Sequence, residues 1–247
     1  MRTTVGLDLA SKTGVSIVQG EDPATAVLAA HFVVKRDDDL VGGPEKYPQS
    51  YRLAAQNHAK KIVASLQDML TAVGSFPMEG DDEMLFVVEE TNATKGSRYA
   101  QKYLEFLHYS ILDRLVGRSI VYLSTTTWRS ALGVTVGKDG RKSNRKLSEI
   151  RDDALAMVLA PTVGHDVSKA TKKQVAAAKK SPEFRVLVAK GKLAAGVAGK
   201  RTPKHAAVEW VNERFGIALK KGQNDDADAV CVAVASLVPG VKFCDGR

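Results

Sequence analysis

Thr3-Thr4-Val5-Gly6-Leu7-Asp8-Leu9, then Ala10-Ser11-Lys12-Thr13, then Gly14 through Gln19, decides how the rest of the chain is read. The β-branched and apolar residues predict a strand, the small polar residues a turn, and Gly14 to Gln19 a second strand. A third apolar, β-branched stretch from about Thr25 to Val34 completes an antiparallel meander. Asp8 lies inside the first of these strands. An ionised carboxylate is costly in an apolar element unless something neutralises it.

Outward from this meander, an acidic loop (Asp37-Asp38-Asp39 through Pro48) leads into a long helical pattern. Leu53, Ile62, Val63, Leu66, Met69 and Leu70 fall on one face of it. Gly74 to Glu83 reads as a loop, and Met84 to Val88 as a short all-apolar strand of the buried parallel kind that ends in Glu89-Glu90. A second helix is expected from roughly Gly96 to Val116, with Tyr103, Phe106, Leu107, Ile111, Leu112 and Leu115 as its stripe, followed by a strand at Ser119 to Leu123. Strand–helix–strand alternation after a meander implies an α/β layer architecture around a mixed sheet. Thr127-Trp128-Arg129 opens a short helix and Ser143 to Leu159 forms another, whereas Gly164 to Lys200 is Ala/Lys/Gly-rich with no clear stripe. Pro203 after Thr202 starts a helix that ends near Phe215 with Gly216 as its stop. Asn224 is expected to cap the last helix, Asp225 to Leu237. The expected organisation is a single domain over 1–247 carrying a basic insertion or mobile subdomain at about 138–200.

Composition narrows the class. Hydrophobic residues at 44% and charged residues at 26% exclude wholesale disorder. The longest apolar run, Ala229 to Val238, is about half of what a membrane span needs, and Met1-Arg2-Thr3-Thr4 leads directly into a strand, not a secretory h-region. The two cysteines, Cys231 and Cys244, make no disulfide framework, and with no Cys-x-x-Cys pair a structural zinc site is not expected. These features predict a cytoplasmic protein without a membrane partner. The five His (31, 58, 108, 165 and 205) read as structural or surface residues, and Trp128 and Trp210 as core. The net charge of +8 is uneven: Lys138 to Lys204 holds 17 Lys+Arg against 6 Asp+Glu, and the remainder 19 against 22. Clustered basic residues suit a polyanion, because counterion release rewards them. A solvated lysine-rich insertion is the alternative reading of the same segment.

The acids at Asp8, at Glu89 and Glu90, and at Asp225, Asp226 and Asp228 sit where acids are expensive. Asp225 and Asp228, three apart, share one side of the first turn of a helix. The helix macrodipole accounts for part of that cluster without function, yet not for Asp8 or for the acids closing a buried strand. If the two strands are neighbours and the last helix packs across their ends, three or four carboxylates converge and need a cation. Oxygen-only ligands select Mg²⁺ or Mn²⁺. Two such ions about 4 Å apart clamp an in-line phosphodiester displacement.

The ordered set resembles the RuvC-type Holliday junction resolvases of the RNase H-like (retroviral integrase-like) superfamily. Gly6-Leu7-Asp8-Leu9-Ala10-Ser11-Lys12-Thr13-Gly14 matches the family's first motif, Val87-Val88-Glu89-Glu90 the second, and Asp225-Asp226-Ala227-Asp228-Ala229 the third, Asp-x-x-Asp-Ala. The resemblance implies a five-stranded mixed sheet flanked by helices, in which an antiparallel three-stranded meander is joined by two parallel strands. It implies a homodimeric, Mg²⁺- or Mn²⁺-dependent endonuclease with two ions per site, cutting four-way junctions and branched DNA. Asp8, Glu89, Asp225 and Asp228 would be the catalytic and metal-ligating residues, with Glu90 and Asp226 in reserve. Lys12, Lys95, Lys138, Arg141, Lys142, Lys200, Arg201 and Lys204 would contact DNA. The family's aromatic shortly after the second-motif Glu is missing: Asn92 occupies that neighbourhood, and the first aromatic is Tyr99. The extra length over about Lys138 to Lys200 resembles viral and phage relatives. Two other readings carry part of the pattern. One is an ATPase or phosphotransferase of the actin, heat-shock and sugar-kinase group, whose first turn also runs from Asp to Thr-Gly but which needs a second Gly-rich phosphate loop. The other is a general RNase H-like nuclease.

Overall fold

The computed structural model describes residues 2–37, 48–74, 84–90, 98–164 and 166–244. Lys95, Asn92, His165 and most of the acidic loop before Pro48 lie outside these residues. The described chain divides into two compact units, one made of residues 1–135 and 204–247 and the other of residues 136–203.

The first unit is built on strands β1 (Thr3–Asp8), β2 (Lys12–Gln19), β3 (Val27–Lys35), β4 (Met84–Glu90) and β5 (Ser119–Ser124). They form one mixed sheet in the order β3-β2-β1-β4-β5. β2 runs antiparallel to β1 and β3, and β4 runs parallel to β1 and β5. This is the meander plus two parallel strands that the sequence predicts. Its helices are α1 (Gln49–Ala72), α2 (Arg98–Arg114), α3 (Thr125–Ala131), α7 (Pro203–Phe215) and α8 (Asn224–Ala235).

Strand parity sorts the core into two layers, because successive side chains leave opposite faces of a sheet. Val5, Leu7, Val15, Ile17, Phe86 and Val88 pack with Ala55, Ile62, Leu66, Leu107 and Ile111 of α1 and α2. Leu85, Val87 and Leu123 pack with Trp128 of α3, Ala207 and Val211 of α7, and Val230 and Val234 of α8. Burial on both faces explains why β4 reads as a continuous apolar run. It also explains α8, which is buried from Asp226 to Ala235 and has no polar face to show in sequence.

Two glycines let α8 lie against the strands. A Cβ on Gly14 would stand 1.9 Å from the Asp225 carbonyl oxygen, and one on Gly6 would stand 2.1 Å from that of Ala229. The Ser16 hydroxyl donates to that same Ala229 carbonyl at 3.0 Å, tying β2 to the middle of the helix. Asn224 does not cap α8: Gln223 holds the N-cap position without a side-chain cap bond. The Gln223 side chain is engaged elsewhere, accepting from Lys220 N and donating to Asp226.

The second unit holds α4 (Lys138–Val163), a 3-10 turn at Val167–Lys169, α5 (Lys172–Lys180) and α6 (Pro182–Ala194). The stripeless stretch after Gly164 is therefore helical. Its helices are set by their ends: Thr171 and Gln174 form a capping box, and Ser181 caps α6 with Pro182 in its first turn. Leu155, Leu159 and Ala178 form a small buried cluster, and Leu147, Ala154 and Val197 are buried as well. The Asn144 side chain donates to Arg201 O at 2.7 Å and accepts from Arg201 N at 2.8 Å, pinning the two ends of the unit to each other. No helix among the described residues is long and apolar enough to cross a membrane. Cys231 and Cys244 are free thiols.

Candidate metal centre

Parity and register bring the acids together. Asp8 follows Gly6 on the β1 face toward α8, and Glu89 follows Leu85 and Val87 on the matching face of β4. The parallel pairing of β1 with β4 ends at Leu7 opposite Val88, which sets Asp8 and Glu89 side by side at the strand ends. Asp228 comes from the first turns of α8, where Gly6 and Gly14 admit the helix. One oxygen from each of Asp8, Glu89 and Asp228 lies within 4.8 Å of the others. Glu89 is 8% exposed and Asp228 2%.

The other predicted ligands stand apart from this group of three. Asp225, one turn earlier, presents Oδ1 to Lys204 Nζ at 3.8 Å. Asp226 is buried and turned the other way, with Oδ1 3.4 Å from His31 Nδ1 and Oδ2 accepting from Gln223. Glu90, of opposite parity to Glu89, is exposed and accepts a 3.3 Å bond from Cys244 Sγ. Lys204, at the start of α7, faces the carboxylates, with Nζ 3.5 Å from Asp228 Oδ2. Lys12 is exposed at the start of β2. Lys138, Arg141, Lys142, Lys200 and Arg201 are exposed on the second unit.

Two neighbours escaped the sequence reading. Thr125, at the start of α3, donates its hydroxyl to Glu89 Oε1. Arg129, stacked 4.8 Å over the Trp128 ring, contributes positive charge at Asp228. The signal for Thr125 lies in the register: β5 runs parallel to β4 with Leu123 opposite Glu89, so the residues just past β5 border the acid.

Electrostatics show what the group lacks. Burial pushes the Asp8 carboxyl well above the usual carboxylate range, and Glu89 and Asp228 add to the effect. Burial, with Glu89 beside it, lifts Asp228 to about 6 even though Lys204 and Arg129 oppose the rise. Burial works against the Lys204 ammonium, but the facing Asp228, Asp8 and Asp225 outweigh it and hold its pKa above the ordinary lysine value. Asp228 Oδ1 is buried without a hydrogen-bond partner. A buried, unpartnered carboxylate oxygen among acids that resist joint ionisation is the environment a hard divalent cation satisfies, and the all-oxygen donor set fits Mg²⁺ or Mn²⁺.

The sign of the pH effect follows. A carboxyl whose folded pKa is raised contributes stability below its unfolded pKa, near 3.8 here, and loses it as pH rises through the folded value, about 6 for Asp228. For Asp228 the loss is about 3 kcal/mol. Asp228→Asn is therefore expected to raise the melting temperature in EDTA at pH 7.5 by several degrees and to leave it little changed near pH 4. Thermal unfolding at the two pH values checks this, and an equal shift at both would refute it.

No protein-family model and no curated protein matches the chain. Among solved structures, it is similar to Thermus thermophilus RuvC in complex with a Holliday junction substrate, with 14% identity, 96% of this chain and 94% of that chain covered, and a TM-score of 0.48. A second Thermus thermophilus RuvC structure aligns at 15% identity over 94% of this chain and 92% of that one, with a TM-score of 0.45. The yeast mitochondrial Holliday junction resolvase aligns at 12% identity over 96% and 78%, with a TM-score of 0.38.

Proposed function

We propose that this chain is a divalent-metal-dependent endonuclease of the RuvC type that cuts four-way and other branched DNA as a homodimer in the cytoplasm. The observation that carries the reading is the convergence of Asp8, Glu89 and Asp228 within 4.8 Å, with one buried Asp228 oxygen unpartnered. The ordered motifs around these residues support it, and the basic second unit supplies the polyanion-binding half. Asp8, Glu89 and Asp228 would hold Mg²⁺ or Mn²⁺, with Asp225 alongside. Such an ion, when bound, polarises the phosphodiester and makes water a competent nucleophile near neutral pH.

The chain's own residues do the rest. The Thr125 hydroxyl fixes Glu89, so one ligand is oriented before substrate arrives. Hydrolysis leaves a 5′-phosphate and a 3′-hydroxyl. Two copies related by a two-fold axis would place paired nicks symmetrically across a junction of matching symmetry.

Lys138, Arg141, Lys142, Lys200 and Arg201 would contribute affinity, not chemistry. Replacing all five by Gln is expected to flatten the salt dependence of junction binding by roughly one slope unit per lost phosphate contact, with turnover at saturating DNA retained. An unchanged slope would return these residues to a solvated surface. Substrate class is tested by comparing nicking of a four-way junction, a linear duplex and an RNA–DNA hybrid. Preference for the junction is the expected result, and equal cutting of all three would mean a general nuclease.

A further inference from the structure

We infer that Lys204 is a built-in second cation of the carboxylate cluster, so that the DNA-free protein takes one divalent ion at Asp8, Glu89 and Asp228 instead of two. This rests on reading the cluster as a metal centre. Asp228 is shared between two demands: its Oδ1 is buried and unpartnered, while its Oδ2 faces Lys204 Nζ at 3.5 Å. Asp225, the acid on which a second ion would draw, presents Oδ1 to the same ammonium at 3.8 Å. The atoms that a second ion needs are thus already answered by a cation that belongs to the chain.

Charge points the same way. One divalent ion with Lys204 and Arg129 balances the four carboxylates of Asp8, Glu89, Asp225 and Asp228, and a second ion leaves an excess of two positive charges. A divalent ion drawn to Asp225 and the second Asp228 oxygen would stand beside the Lys204 ammonium, which repels it. Lys204 is also rooted: α7, which carries it, buries Ala206, Ala207, Val208 and Val211 against the sheet. Removing its charge should free Asp225 and the second Asp228 oxygen to take up another ion.

The test is an ion count on the full-length chain without DNA, by calorimetric titration with Mn²⁺ and electron paramagnetic resonance of the bound metal. The wild type is expected to bind one ion, and Lys204→Arg, which keeps the charge, is expected to bind one. Lys204→Met, close in size and uncharged, should bind two, the second at least about 10-fold tighter than any second ion on the wild type. If Lys204→Met does not fold, Lys204→Gln takes its place. Two ions on the wild type, or one on the folded uncharged variant, would overturn the inference while leaving the metal centre intact. No ion on the wild type would remove the metal centre together with the inference.

Discussion

Asp8→Asn is expected to lower Mg²⁺-dependent junction cleavage by at least about 10³-fold while junction affinity stays within roughly 3-fold of the wild type. The two readouts separate because Asp8 sits in the acidic group at the end of β1, whereas phosphate affinity is assigned to the exposed basic residues of the second unit. The substitution removes a charge and keeps the shape. It also removes a group whose ionised form is disfavoured by burial, by Glu89 and by Asp228, so the metal-free fold should not suffer. Loss of activity with an unchanged or raised melting temperature is therefore the signature of a ligand. Loss of both would mean that Asp8 holds the fold together, and full cleavage would remove it from the site.

Gly14→Ala is expected to be strongly destabilising. The added Cβ would fall 1.9 Å from the Asp225 carbonyl oxygen and 2.5 Å from its carbon, both backbone atoms of a helix that is buried along nearly its whole length. Neither β2 nor α8 can give way without breaking the contacts that bring Asp228 to Asp8. Overpacking against backbone costs about 3 kcal/mol or more, which in a chain of this size lowers the melting temperature by roughly 6–12 °C. Gly14 has no positive φ, so the glycine is required by close approach and not by backbone conformation. Gly222→Ala is the control, since a Cβ there meets nothing within 4 Å, and it should shift stability by less than about 0.5 kcal/mol. Similar melting temperatures for the two variants would contradict the helix placement.

How much of this was readable beforehand depended on whether periodicity carried the signal. The sheet was legible because β1, β2 and β4 are short apolar runs bounded by small or acidic residues. Of the two acids ending β4, sequence favoured Glu89 and kept Glu90 in reserve. Parity separates them: Glu89 shares the face of Leu85 and Val87, and Glu90 does not. The i, i+3 spacing of Asp225 and Asp228 puts both on one side of α8, yet Asp228 alone joins the group of three, and Asp225 meets Lys204 instead. Sequence showed that Lys204 is basic but not that it faces carboxylates, because its partners lie more than twenty residues away. In the second unit the helix expected over Ser143 to Leu159 lies within α4, whereas α5 and α6 were missed for a different reason. α6 buries no residue and α5 buries one, Ala178, so neither has an apolar stripe. Their caps, Thr171 with Gln174 and Ser181 before Pro182, were the available signals.

The most direct measurement is cleavage of a synthetic four-way junction, labelled on each strand in turn, by the purified wild-type chain in Mg²⁺ and in EDTA. Paired nicks in Mg²⁺ and none in EDTA are expected. An intact junction in both Mg²⁺ and Mn²⁺, or equal nicking in EDTA, would contradict a metal-dependent nuclease built on Asp8, Glu89 and Asp228.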